Sequence, residues 1–169
     1  MLAAVITAVA VLLDQISKSI VVNGLPLYGE ARFIPGVLSF YHTRNTGAAF
    51  SVLSDRRWVF MLLSCVAIVA ITVMLYFWRS RHVLLTVSLS MILGGGIGNM
   101  IDRIVNGYVT DFFRVDFVDF AVFNVADSFI TVGAVLLGVY IIFFEPKVER
   151  RLAESKPQKG GEAGGNGDE

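Results

Sequence analysis

The stretch from Trp58 to Trp78 carries no charged residue. As a helix rising about 1.5 Å per residue it covers roughly 32 Å, the thickness of a bilayer's hydrocarbon core. A tryptophan stands at each end, as in the aromatic belt of a membrane span. The rest of the chain agrees: 55% of its residues are hydrophobic, and the mean hydropathy of +0.68 is too high for an ordinary soluble domain. Spans are predicted over about 2–22, 58–78, 83–103 and 121–144. The class is an all-α membrane protein, with residues 1–145 forming one integral membrane domain. The glycine- and charge-rich tail, 146–169, is predicted to be disordered.

Several classes are disfavoured at once. The formal net charge is zero, so no basic field suggests nucleic-acid binding. The two histidines, His42 and His82, lack metal-binding spacing, and no metal or cofactor is expected. Cys65, the one cysteine, excludes an internal disulfide and reads as buried packing. Ala8-Val9-Ala10 imitates a signal-peptide cleavage site, but no basic region precedes it and the apolar run continues past it. A retained helix is expected there.

The connections between spans differ in kind. Arg79-Ser80-Arg81 is a short basic turn, and the tail is basic near its start. This bias puts both termini in the cytoplasm. The connection from Asn23 to Arg57 is too long for a simple linker. Its β-branched and aromatic run, residues 37–43, predicts a strand, and Asn45-Thr46-Gly47 a turn. A small β-cradle over about 30–55 is therefore expected on the outer face. Residues 104–120 read as an aromatic, aspartate-rich loop at the same face.

Charge inside the spans points to function. Asp14 and Lys18 stand four apart on one face of the first helix, and each would cost about 2.5–3.5 kcal/mol at mid-bilayer. They must face protein or water. Asp14 reads as holding this helix to its neighbours, and Lys18 as pairing with it or snorkelling to the headgroups. Asn99 and Asp102 lie three apart near the outer end of the third span, with Arg103 beside them; Asn124 and Asp127 lie three apart at the mouth of the fourth. Asp111 falls between these helices, flanked by Phe112 and Phe113.

Two close carboxylates cannot both ionise. One can then take a proton from water while the other donates to a carbonyl oxygen, which is peptide hydrolysis without a metal. Asp127 is one member on this reading, and spacing alone leaves Asp111 and Asp102 both open as the other. The plainer readings are that Asn124 and Asp127 cap the fourth helix, that Asp102 pairs with Arg103, and that Asp116 and Asp119 are solvated. The glycines at 94–96, 98, 133 and 138 read as close helix contacts. A proton-coupled carrier component is the alternative function.

The blocks Asp14-Gln15-Ile16-Ser17-Lys18, Asn45-Thr46-Gly47-Ala48-Ala49-Phe50, Gly94 to Arg103, Val109-Thr110-Asp111-Phe112 and Phe123 to Ser128 occur in order along the chain. Together they resemble the bacterial lipoprotein signal peptidases, or signal peptidase II. The resemblance implies a four-helix aspartyl endopeptidase with an outer β-cradle in the inner membrane. It would cut before the diacylglyceryl-modified cysteine of a prolipoprotein, its site toward the extracytoplasmic face. It assigns catalysis to Asp111 and Asp127, and substrate-binding or supporting roles to Asn45, Gly47, Asn99, Asp102, Arg103, Asn124, Asp14 and Lys18. Inhibition by globomycin is implied too. Thr110 departs from the usual apolar residue at its position. A monomer is expected, because one chain supplies every group.

Overall fold

The structure, a computed structural model, describes residues 1–46, 57–78, 82–145 and 147. Gly47, the second half of the expected cradle and the tail from 148 lie outside the described residues. Among the described residues four helices are long and apolar enough to cross a membrane. They are α1 (Leu2–Gly24), α2 (Arg57–Trp78), α3 (Val83–Val105) and α4 (Val125–Phe143). Three strands, β1 (Glu30–Ile34), β2 (Leu38–Asn45) and β3 (Val109–Val115), form one antiparallel sheet in that order.

The third helix is the axis of the bundle. It packs against α1, α2 and α4, and 56% of its most apolar stretch is buried against 6% for α2. Glycine makes this possible. A Cβ on Gly94 would stand 2.6 Å from that of Ala10, and one on Gly98 2.5 Å from the Asp14 carboxylate. A Cβ on Gly95 would meet the carbonyl oxygen of Ala126. Small residues thus let α1 and α4 approach the backbone of α3 where lipid offers no hydrophobic drive for association. Gly138 has open space where its Cβ would be, so it is not a packing glycine. Cys65, expected to be buried, is exposed on α2.

The sheet departs from the expected layout. The stretch read as a loop contains β3, which pairs with β2 so that Asp111 opposes Thr43. Four of its residues, Val109 to Phe112, are buried in succession, which hides the alternation that marks a half-buried strand. β1 was not foreseen as a separate strand, since all of its residues are exposed. β2 runs on through Asn45, where a turn was expected. Residues 121–124 are not helical: Phe123 bridges to Phe113, and α4 starts only at Val125. That extended approach sets Asn124 against β3.

Candidate active site

Asn124 is the N-cap of α4. Its Oδ1 accepts the Asp127 N–H at 2.9 Å, and its own N–H donates to Asp127 Oδ2 at 3.2 Å. This reciprocal capping box fixes Asp127 in the first helical turn. The capping reading is therefore correct as geometry, and it does not exhaust the pair. The Asn124 amide, fully buried, also donates to Asp111 Oδ1 at 2.6 Å and to Asn99 Oδ1 at 3.1 Å. One residue thus holds both carboxylates, Asp111 through its side-chain amide and Asp127 through its backbone N–H.

Asp111 is brought to this point by β3. Its second oxygen accepts from Asn45 Nδ2 at 2.9 Å, across from the end of β2. Asp127 Oδ1 accepts from Asn99 Nδ2 at 2.8 Å. Among the described residues these two carboxylates receive hydrogen bonds only from neutral donors. Asp111 is 2% exposed. Burial pushes its carboxyl up to about 6; the Asn45 hydrogen bond opposes this and the charge on Asp127 adds to it. The predicted desolvation by the aromatic flank is visible in Phe112, itself 1% exposed.

Asp102 faces elsewhere. Its Oδ2 lies 3.1 Å from Lys18 Nζ and accepts the Thr110 N–H at 2.9 Å. The expected pairing with Arg103 is replaced by this one, and Arg103 donates instead to the Asn99 carbonyl at 3.3 Å. Lys18 does not snorkel. It is buried and also donates to Asp14 Oδ2 at 2.8 Å and Asn99 Oδ1 at 2.9 Å. Two acids within reach of one ammonium remove the reason to seek the headgroups. Asp14, with no exposed surface, accepts the Ala126 N–H at 3.0 Å, so it ties α1 to the first turn of α4.

Asn99 links the two sets of acids. A cation can approach only its oxygen, so Lys18 turns the amide nitrogen toward Asp127. Sequence reading missed Gln15. Its Nε2 lies within 3.1 to 3.3 Å of Asp14, the Gly98 carbonyl and Asp102. Its one signal was its place beside Asp14. Asp116 is exposed, as expected, and also accepts from Ser39 Oγ at 2.6 Å.

A cavity of about 280 Å³ opens beside Asp111, lined also by Thr43, Asn45, Ala121 and Val122 among others. A larger one, about 680 Å³, lies on the sheet among Glu30, Arg32, Arg114 and Asp116. It touches neither carboxylate, and of its two arginines Arg114 is already paired with Glu30 at 2.6 Å. The smaller cavity is the one with chemistry on its wall.

A profile described as Signal peptidase (SPase) II matches residues 6–143. A lipoprotein signal peptidase of Symbiobacterium thermophilum is 42% identical over 149 residues, covering 87% of this chain and 98% of the relative. One from Lactobacillus johnsonii is 38% identical over 143 residues, covering 85% and 93%. A solved structure described as a bacterial membrane enzyme at 1.9 Å resolution superposes with a TM-score of 0.77 at 28% identity. It covers 84% of this chain and 93% of its own. A second, described likewise at 2.3 Å, gives a TM-score of 0.73 at 26% identity and covers 94% and 93%. With its spanning helices, its rim of buried carboxylates and these matches, the chain belongs to the signal peptidase II family of bacterial membrane peptidases.

Proposed function

We propose that the protein removes signal peptides from diacylglyceryl prolipoproteins, cutting before the lipid-modified cysteine, with Asp111 and Asp127 as its acid–base pair. The observation that carries the assignment is Asn124, whose side-chain amide donates to the Asp111 carboxylate and whose backbone N–H donates to that of Asp127. Asp111, with its raised affinity for a proton, is the acid. Asp127 is the base and takes a proton from water as the oxygen attacks the scissile carbonyl carbon. Asp111 gives its proton to the carbonyl oxygen, forming a neutral tetrahedral diol. Asp127 then passes its proton to the departing nitrogen, and Asp111 recovers one from the diol as the C–N bond breaks. Asn45 and Asn124 hold the carboxyl planes, and Arg103 is available to substrate carbonyls at the rim.

The ends of α1 and α3 and the start of α4 share this rim with the sheet. The end of α2 and the start of α3 lie at the opposite end of the spans, and in the sequence Arg79 and Arg81 fall between them. With basic residues cytoplasmic, both termini lie inside and the site faces the extracytoplasmic leaflet of the inner membrane. A carrier would need titratable groups across the bilayer. Among the described residues the buried acids gather at one end of the bundle, which favours the peptidase.

The test uses purified protein and a diacylglyceryl prolipoprotein. Asp111→Asn and Asp127→Asn are expected to fold and not cleave. Full activity in either variant would overturn the assigned pair. An unlipidated precursor should be a poor substrate, and equal cleavage of both forms would remove the lipid from the reading.

A further inference from the structure

Beside the pair, where α1 leaves the bundle beneath the sheet, lies a cavity of about 380 Å³. Its walls are Ile20, Val21 and Leu25 at the end of α1 and Phe40, Phe112 and Phe113 on the strands. No charged side chain lines it, and its one hydroxyl, on Ser17, already donates to the Asp14 carbonyl at 2.8 Å. With 23 residues α1 is about 34 Å long, so its last turn sits at the boundary of the hydrocarbon region. Ile20 is 66% exposed, in line with Leu13 and Ile16 on the lipid-facing side of the helix. The cavity therefore opens toward lipid.

We propose that this groove seats one acyl chain of the substrate's modified cysteine and thereby aligns the scissile bond with Asp111. The proposal rests on the peptidase reading above and adds to it a place for the lipid. The volume holds about a dozen methylene groups, counting roughly 30 Å³ each, the share of a water molecule. A tail entering it exchanges lipid neighbours for equally apolar walls, so the groove orients the substrate more than it strengthens binding. Ordinary lipid would gain as little. The substrate differs because its acyl chain and its scissile bond belong to one residue. The groove and the carboxylate are joined in the same way, for Phe112 and Phe113 directly follow Asp111 on β3.

Gly24 offers a clean test. It lines the groove, and a Cβ there would meet nothing within 4 Å. A leucine side chain at 24 would take up space inside the groove without displacing backbone. Substrates sharing one precursor peptide and differing in acyl length, four against sixteen carbons, are cleaved by wild type and by Gly24→Leu. The quantity read is the ratio of kcat/KM for the long over the short chain. It is expected to fall about ten-fold in Gly24→Leu, chiefly through kcat, as overpacking keeps the longer tail from aligning the scissile bond. Gly138→Leu, facing open space on α4, serves as control and should keep the wild-type ratio. An unchanged ratio in Gly24→Leu would overturn the proposal, as would an equal fall in both variants. Wild type that cleaves neither substrate would overturn the peptidase reading itself, a distinct failure.

Discussion

Two pairs of aspartates lie on either side of Asn99, and they differ in the partners they meet. Asp14 and Asp102 share the ammonium of Lys18, at 2.8 and 3.1 Å. Asp111 and Asp127 are held among the described residues by asparagine amides and a backbone N–H. A buried carboxylate paired with a buried cation cannot lose that partner without leaving an uncompensated charge, and so serves as a tether. A buried carboxylate held by neutral donors keeps its exchange with protons open. Residue type is the same in both pairs, and three of the four are buried while Asp127 is half-buried; the partner decides between architecture and chemistry.

The widest separation between the pairs should appear in activity. Asp111→Asn and Asp127→Asn are expected to lower kcat by about 10²- to 10⁴-fold, the usual worth of a positioned acid or base, with little loss of thermal stability. Lys18→Met should do the reverse in order of cause. It strands two buried acids and is expected to cost about 3–5 kcal/mol of stability, read by thermal unfolding in detergent. Replacing Lys18, Asp14 and Asp102 together by neutral residues of similar size should recover much of that loss, because no charge is left unpaired. If Lys18→Met unfolds no more easily than wild type, the tether reading of the inner pair fails.

A smaller effect distinguishes the pairs by pH. Asp111 binds its proton more tightly in the folded protein than in the unfolded chain, so its contribution to stability is present at low pH. That contribution is lost as pH rises from about 4 through about 6. Asp111→Asn should therefore be at least as stable as wild type at pH 8, and less favoured relative to it at pH 4. Cleavage needs the proton, so the rate should decline above an apparent pKa near 6 that belongs to the pair. Asn45 stabilises the ionised form; Asn45→Ala should move that decline to higher pH. A move to lower pH would show that its amide does not act on Asp111 in this way.

The smallest contrast lies in the glycines. Gly98→Ala drives a methyl into the Asp14 carboxylate and should cost about 1–3 kcal/mol. Gly138→Ala, with open space around it, should stay within about 0.5 kcal/mol of wild type.

The spans, the acids and the asparagines were legible because apolar length and buried polarity are local properties. The three-residue spacing of Asn124 and Asp127 announced a cap, and the cap is there. Pairing was not legible. Lys18 was assigned a possible escape to the headgroups because its second acid, Asp102, is far away in sequence and reaches it only through helix packing. The choice between Asp111 and Asp102 could not be made from spacing, since it depends on β3. That strand is buried on both faces where it meets the helices and so shows no alternation. The same strand carries the Thr110 amide to Asp102, which anchors the residue next to the acid.

The central claim is that Asp111 and Asp127 hold one proton between them. The carboxylic C=O stretch, followed by infrared difference spectroscopy from pH 4 to pH 8, tests it most directly. One protonated carboxyl should titrate near pH 6, vanish in Asp111→Asn, and titrate at lower pH in Asp127→Asn, where the neighbouring charge is gone. A band that Asp127→Asn leaves unmoved, or the absence of any such band in wild type at pH 5, would contradict the account.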